Sequence, residues 1–220
     1  MNELIITKNL VQKDKTISTD YAYTFLNRLL KKNIIKKITK GKYTKSSNIF
    51  QISTNLYTPT YLSYWSASYF KGYTEQIVNE IQIASTKRHK TINFENYTII
   101  FNKLSKKMFF GFEKIKYGEE FIFVVTDEKL IIDSLNKEEL IGNFDEIEKI
   151  ITQSKIDKIK MIEYLNRINN KALNKRIGFL LEKYKEMDLS KNINYKEKSY
   201  TKLSKYLTGT NINKKWKVKF

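Results

Sequence analysis

Cysteine is absent from this sequence of 220 residues, and histidine and proline each occur once. The absence of cysteine excludes disulfide bonds, thiolate metal sites and cysteine nucleophiles. The single histidine, His89 in the basic segment KRHK, excludes a histidine dyad and a multi-histidine metal site, and we expect it at the surface. The sequence also lacks the GxxxxGK(S/T) and GxGxxG loops that bind nucleotide phosphates. We therefore expect no cofactor, no metal and no enzymatic activity.

Long apolar runs are also missing. The segment MNELIITKNL does not combine a basic start with a long apolar stretch, so it does not resemble a signal peptide. No run approaches the roughly 20 apolar residues that a membrane helix needs. Hydrophobic residues nevertheless make up 41% of the chain and aromatic residues 14%, which indicates a folded protein. We expect a cytoplasmic protein without a membrane partner.

Basic residues are abundant and unevenly distributed, with a formal net charge of +18. Residues 1–48 carry 11 Lys and Arg against 3 Asp and Glu, residues 49–150 carry 12 against 14, and residues 151–220 carry 18 against 6. A uniform lysine bias would spread evenly along the chain. Two basic ends that flank a nearly neutral middle favour polyanionic or acidic partners.

Residues 18–33, STDYAYTFLNRLLKKN, have the pattern of an amphipathic helix. Apolar residues recur every three or four positions, and Ser18 or Thr19 is suited to be the N-cap. A shorter helix over 6–14, capped by Thr7, precedes it. Two consecutive helices of this kind are typical of a helix-turn-helix.

The segment KKNIIKKITKGKYTK, residues 31–45, combines seven lysines with the apolar pattern of a β-hairpin. Glycine at position 41 is a turn signal, because it adopts positive φ without steric cost, and we predict strands over 34–38 and 42–45. The residues expected to be buried are Ile34, Ile35, Ile38 and Tyr43. A basic hairpin after the second helix favours a winged helix-turn-helix, although a solvated surface hairpin is the competing interpretation.

The outward face of the second helix carries groups suited to base edges. Asparagine and arginine bond bidentately, and threonine offers a hydroxyl and a methyl group. Lysines of the hairpin would face phosphate. The predicted DNA-binding residues are Thr19, Tyr21, Tyr23, Thr24, Asn27, Arg28, Lys31, Lys36, Lys40 and Lys42.

The composition changes at Pro59. We predict a helix from an N-cap at Thr60 to a stop at Gly72. Short β-like runs follow at 81–86, 91–94, 97–104, 108–115 and 120–125. The sequence then becomes mainly helical.

A helix capped by Thr126 is predicted over 126–135, and helical periodicity fills 144–187 before a short terminal strand. We expect Glu128 and Lys129, near the start of the first of these helices, to act as capping and dipole partners. The order of elements predicts an α+β protein, in which a winged helix-turn-helix precedes a mixed α/β domain with a helical C-terminal part.

Four stretches carry a family resemblance. They are FLNRLLKKNIIKKITKGKYTK (25–45), PTYLSYWSASYFKGYTEQ (59–76), VVTDEKLIIDSL (124–135), and NKRIGFLLEKY with KKWKVKF (174–184 and 214–220). In this order and spacing they resemble the AbiEi-type antitoxins, which are the transcriptional regulators of the AbiE abortive-infection, type IV toxin–antitoxin systems. Asn33 stands where that family usually has glycine.

The resemblance implies a winged helix-turn-helix domain over 1–48 and an antitoxin domain over 49–220, with an α+β core over 49–142 and a mainly helical part over 143–220. The first domain would bind double-stranded DNA at repeated sites in its own promoter and repress its operon. The second would oppose a neighbouring nucleotidyltransferase toxin, directly or through the RNA target of that toxin, in antiviral defence.

The basic C-terminal region is a second candidate surface for a toxin or nucleic acid. A helix over 171–187 is predicted to bury Ala172, Leu173, Ile177, Leu180, Leu181 and Tyr184, and Trp216 is expected to pack inward. The basic residues proposed for the surface are Lys87, Arg88, Lys171, Lys175, Arg176, Lys214 and Lys215. Two alternatives stay open: a stand-alone winged-helix transcription factor, and a module that binds RNA or protein. Whether DNA would be bound as a monomer or a dimer is also open.

Overall fold

The computed structural model describes residues 3–220, which form eight α-helices and three β-sheets and confirm the predicted α+β class. The chain forms two compact units. The first comprises residues 3–62, Asn79–Lys103 and Lys114–Phe123, and the second comprises Ser63–Val78, Leu104–Glu113 and Val124–Phe220. The predicted boundary between residues 48 and 49 lies inside the first unit, and the division into two functional domains stays a prediction.

The first unit begins with two helices and a hairpin. Strand β1 is Ile6–Thr7, helix α1 is Lys8–Lys15, helix α2 is Thr19–Lys31, strand β2 is Lys36–Thr39 and strand β3 is Lys42–Thr44. The Thr7 hydroxyl accepts a hydrogen bond from the backbone N–H of Leu10 (3.3 Å), and the Ser18 hydroxyl accepts one from that of Tyr21 (3.3 Å). Both caps therefore satisfy N–H groups that have no partner inside their helices, as predicted.

Two residues with positive φ shape the chain between α2 and β3. Asn33 has φ 55°, and the backbone N–H groups of Asn33 and Ile34 donate to the carbonyls of Leu30 and Leu29 (both 2.9 Å), which closes α2. Asparagine tolerates this conformation better than most side chains. Gly41 has φ 75° in the hairpin turn, as predicted.

A small apolar cluster, here called the N-terminal core, lies beneath α2. Its buried members are Ile6, Val11, Ala22, Leu26, Ile35 and Tyr43. The hairpin sheet has the order β1-β3-β2, and pairing of β1 with β3, which has no signal in the sequence, places Ile6 opposite Tyr43. Ile34 was expected to be buried but is 47% exposed, because it belongs to the turn that closes α2.

A second sheet occupies most of the remaining first unit. Its elements and the helix before them are α3 (Ile49–Asn55), β4 (Thr60–Leu62), β5 (Glu80–Ser85), β6 (Ile92–Phe94), β7 (Tyr97–Lys103), β8 (Phe112–Tyr117) and β9 (Glu120–Val125). The strand order is β6-β7-β5-β4-β9-β8. The predicted β runs are confirmed except at 108–115, where a 3-10 turn over Lys106–Met108 precedes β8. The predicted helix start at Thr60 is wrong, because 60–62 pairs with β5.

The second unit is mainly helical. It contains α4 (Tyr64–Phe70), α5 (Asp127–Asn136), α6 (Phe144–Gln153), α7 (Lys158–Ile168), α8 (Lys171–Lys185), and a small sheet of β10 (Thr201–Lys202), β11 (Ile212–Asn213) and β12 (Val218–Lys219). Helix α5 packs against the four other helices, so its residues from 128 to 135 are all buried. The predicted helical segments and the terminal strand are confirmed.

A buried ion pair lies within α5. The Lys129 ammonium group pairs with the Asp133 carboxylate one turn later, and both side chains have 0% exposure. The Ser63 hydroxyl donates a hydrogen bond to the second oxygen of Asp133 (3.2 Å). Glu128 is buried as well and accepts a hydrogen bond from the backbone N–H of Asp157 (2.9 Å). Glu128 lies in the first turn of α5, where the helix dipole favours a carboxylate, as expected, but Lys129 pairs with Asp133 instead of capping the helix.

We expect Lys129→Ala to lower the free energy of unfolding by about 3–5 kcal/mol, because it leaves the Asp133 carboxylate buried without its cationic partner. Lys205 provides a matched control, since its ion pair with Glu139 lies at the surface with side chains 51% and 55% exposed. Lys205→Ala should barely move the denaturation midpoint. Urea denaturation followed by circular dichroism measures both variants. Equal midpoint shifts would contradict a structural role for the buried pair.

Candidate nucleic-acid interface

Helix α2 presents a polar face opposite the N-terminal core. Its seven predicted DNA-binding side chains are all exposed: Thr19, Tyr21, Tyr23, Thr24, Asn27, Arg28 and Lys31. Thr24, Asn27 and Lys31 are spaced three and four residues apart, so they lie one above another along this face. Asp20 shares the face in the first helical turn, where the helix dipole favours a carboxylate. The structure therefore brings the predicted residues of α2 together.

The two threonine hydroxyls of this face have partners within the protein. The Thr19 hydroxyl accepts a hydrogen bond from the Gln12 side-chain amide (2.9 Å), which links α1 to α2. The Thr24 hydroxyl donates to the backbone carbonyl of Asp20 (3.1 Å). Because its proton is used in this way, Thr24 offers a ligand its methyl group and an oxygen lone pair.

Asn27, Arg28 and Lys31 carry the groups of α2 that are best suited to nucleic acid. The Asn27 and Lys31 side chains have no hydrogen-bond or ion-pair partner within residues 3–220. The Arg28 guanidinium lies 5.9 Å from the centre of the Tyr21 ring, a cation–π contact that leaves its N–H donors available. Amide and guanidinium groups bind base edges bidentately, whereas an ammonium group pairs with phosphate.

The hairpin lysines divide into two pairs. Lys37 and Lys40 are exposed and have no ion-pair or hydrogen-bond partner in the described part of the chain. Lys36 instead pairs with Glu95, which lies in the turn between β6 and β7. Lys42 donates to a backbone carbonyl of the segment after α3, and burial lowers its pKa. Of the three hairpin lysines predicted to face phosphate, only Lys40 has a free ammonium group, because those of Lys36 and Lys42 have partners within the protein. Lys37 is also free, although it was not among the predicted DNA-binding residues.

Lys175 and Arg176 of α8 have structural partners. Lys175 is 0% exposed, donates to the backbone carbonyl of Ser199 (2.7 Å) and pairs with Glu197 (3.4 Å). Arg176 donates to two backbone carbonyls (2.6 and 2.9 Å) and pairs with the buried Glu138. The prediction that both lie on an open basic surface is wrong, since their charges satisfy polar groups inside the second unit.

The other members of the predicted basic surface are exposed: Lys87, Arg88, Lys171, Lys214 and Lys215. Lys87 and Arg88 belong to the first unit, and the other three belong to the second. Lys215 pairs with Glu182 (2.6 Å) and Asp188 (2.9 Å), so much of its charge is compensated locally. The second unit therefore offers fewer free cations than its sequence suggests.

The inward packing of Trp216 is confirmed. Its side chain is 0% exposed and packs against Gly178 of α8, where an added Cβ would lie 2.2 Å from an indole carbon. Ala172 was expected to be buried but is exposed, and Tyr184 is only half-buried. Phe179, which was not among the residues predicted to be buried, is also buried in this helix.

No helix within residues 3–220 is long and apolar enough to cross a membrane. In the same range, no three His, Asp or Glu residues form a group that could hold a metal ion.

Comparisons with known proteins show a likeness in fold. No protein-family model matches the chain, and no curated protein matches it significantly. The chain is similar in structure to the RV2827C protein from Mycobacterium tuberculosis, known from a crystal structure, with a TM-score of 0.64 and 10% sequence identity. The match covers 98% of this chain and 86% of that chain. At this identity the likeness concerns the fold alone.

If the hairpin lies on DNA, Lys37→Ala and Lys40→Ala should each reduce the slope of log affinity against log salt by about 0.9 on duplexes of any sequence, because each substitution then removes one phosphate contact. Lys42→Ala should change the slope less, since that ammonium group already has a partner within the protein. Titrations of the full chain at several salt concentrations measure these slopes. An unchanged slope for both Lys37 and Lys40 variants would exclude the hairpin from the interface.

Proposed function

We propose that this chain binds double-stranded DNA as a winged helix-turn-helix protein. Helices α1 and α2 form the helix-turn-helix, and strands β2 and β3 form the wing. The observation that carries the proposal is the exposed polar face of α2, followed by a hairpin in which Lys37 and Lys40 are free. The major groove of B-DNA is about 12 Å wide and admits one α-helix, which suits a single helix with such a face.

In this proposal the polar face of α2 lies in the major groove. Asn27 binds the edge of an adenine and Arg28 that of a guanine, each through two hydrogen bonds. Thr24 contacts a thymine methyl group with its own methyl. Lys31 and the free hairpin lysines bind phosphates, which positions the helix without reading sequence.

We further propose that the chain is an AbiEi-type antitoxin that represses its own operon. Support comes from the four stretches of family resemblance and from the order of helix, helix and hairpin at the start of the fold. A repressor needs only the DNA-binding elements of the first unit. The exposed Lys171 and Lys214 of the second unit supply positive charge for a nucleotidyltransferase toxin or for its RNA target.

Base readout can be separated from phosphate binding at Arg28. We expect Arg28→Lys to keep non-specific affinity and the salt slope but to lose about 1–3 kcal/mol of discrimination at one operator position, because lysine lacks the planar fork. Asn27→Ala should lose a similar amount at a neighbouring position. Competition titrations with operator and scrambled duplexes give the discrimination. If the variants lose the same affinity for the operator and for the scrambled duplex, α2 contacts only phosphates and does not read bases.

We expect the full chain to relieve the growth arrest caused by the neighbouring nucleotidyltransferase gene when unrelated promoters drive both. The double variant Asn27→Ala, Arg28→Ala should still relieve the arrest while failing to repress a promoter–reporter fusion, because it changes only the DNA-binding face. Growth curves and reporter activity measure the two effects. Failure of the wild-type chain to relieve the arrest would refute the antitoxin role. If the wild-type chain relieves the arrest but the stably expressed double variant does not, the antitoxin role and the DNA-binding role are not separable.

A further inference from the structure

The loop between β5 and β6, residues 86–91, is a second concentration of free cations in the first unit. Its sequence is TKRHKT, with three basic residues and no acidic one. Lys87, Arg88 and Lys90 are exposed, and their side chains have no hydrogen-bond or ion-pair partner within residues 3–220. Three unpaired cations on one short loop repel one another, so an anionic ligand that neutralises them would bind favourably.

His89 anchors this loop. Its ring stacks on Tyr57 with centroids 4.0 Å apart and planes 17° apart, and it lies 5.0 Å from the Phe101 ring. Tyr57 and Phe101 also contact each other edge to face at 5.3 Å. The histidine expected at the surface is therefore partly buried in a three-ring cluster, while the residues on both sides of it are exposed.

The same cluster joins the loop to the hairpin. The Lys42 ammonium group of β3 lies 3.9 Å from the centre of the Tyr57 ring and donates to the neighbouring Leu56 carbonyl. Burial lowers the pKa of His89, and the charges of Lys42 and Lys87 lower it further. The pairing of Lys36 with Glu95 makes a second link between the hairpin and the β6–β7 turn. The loop and the hairpin are thus neighbours.

We propose that loop 86–91 is a second phosphate-binding element, which extends the DNA interface beyond the hairpin. Lys87, Arg88 and Lys90 bind backbone phosphates of the duplex that the hairpin contacts, and His89 is the positioning residue that holds them there. The inference rests on the proposed DNA-binding function. It adds to that function a contact outside both the helices and the hairpin, and therefore a longer binding site.

The salt dependence of affinity tests the loop in the full-length protein. We expect the triple variant Lys87→Ala, Arg88→Ala, Lys90→Ala to lower the slope of log affinity against log salt by about 2–3, since each phosphate contact contributes about 0.9. The matched control Lys106→Ala, Lys107→Ala, Lys158→Ala removes the same net charge from exposed positions of the second unit and should leave the slope nearly unchanged.

Duplex length gives an independent readout of the same contact. The duplex is shortened stepwise from one end. We expect the wild-type chain to lose affinity once the phosphates that contact the loop are removed. The triple variant should not lose affinity at that length, because it does not contact those phosphates. His89→Phe, which can keep the ring stack, should retain the wild-type length dependence. His89→Ala should behave like the triple variant.

The pKa of His89, measured by proton NMR, shows whether phosphates lie beside the loop. Its imidazole resonances are unique because His89 is the only histidine in the sequence. In the free protein the pKa of His89 should lie below its ordinary value of 6.5. In the complex, phosphates beside the loop should raise this pKa. Absence of DNA binding by the wild-type chain would refute the proposed function itself. DNA binding with an unchanged His89 pKa and an unchanged slope in the triple variant would overturn the loop contact and leave the proposed function standing.

Discussion

The N-terminal core decides which face of α2 is available to a ligand. Full burial of an Ile, Leu or Val side chain contributes about 1.5–3 kcal/mol, and this small cluster draws such residues from two helices, the hairpin and the strand β1. Rotation of α2 by one position, about 100°, would move Asn27 towards the site of Leu26 and bury an amide without a partner. The apolar face is therefore fixed, and the polar face must point outward.

Local features of this region could be predicted because their causes are local. The caps at Thr7 and Ser18 and the turn at Gly41 each depend on residues within four positions. Pairing of β1 with β3 was missed because a two-residue strand has no periodicity of its own. The strand at 60–62 was mistaken for the start of a helix for a related reason: its paired residues in β5 lie 21 to 25 positions later in the sequence.

Charge was the least predictable property of the candidate site. The sequence does not show which carboxylate a lysine will pair with. The ion-pair partners of Lys36 and Lys175 are 59 and 22 positions away. Three basic residues form ion pairs inside the second unit: Lys129, Lys175 and Arg176. Lys37, which was not among the predicted DNA-binding residues, is exposed and free. The net charge of +18 thus overstates the open basic surface, and the free cations of the first unit include those on α2, the hairpin and the loop at 86–91.

Specific recognition of DNA is the claim on which the functional interpretation depends. The most direct measurement compares the affinity of the wild-type chain for a duplex from upstream of its own operon with that for a scrambled duplex of the same length, at physiological salt. A groove-reading α2 should give a preference of about 10³-fold or more for the upstream duplex. Equal affinity for the two duplexes would show that the chain binds only the charge of nucleic acid, and would contradict the assignment of α2 as a recognition helix.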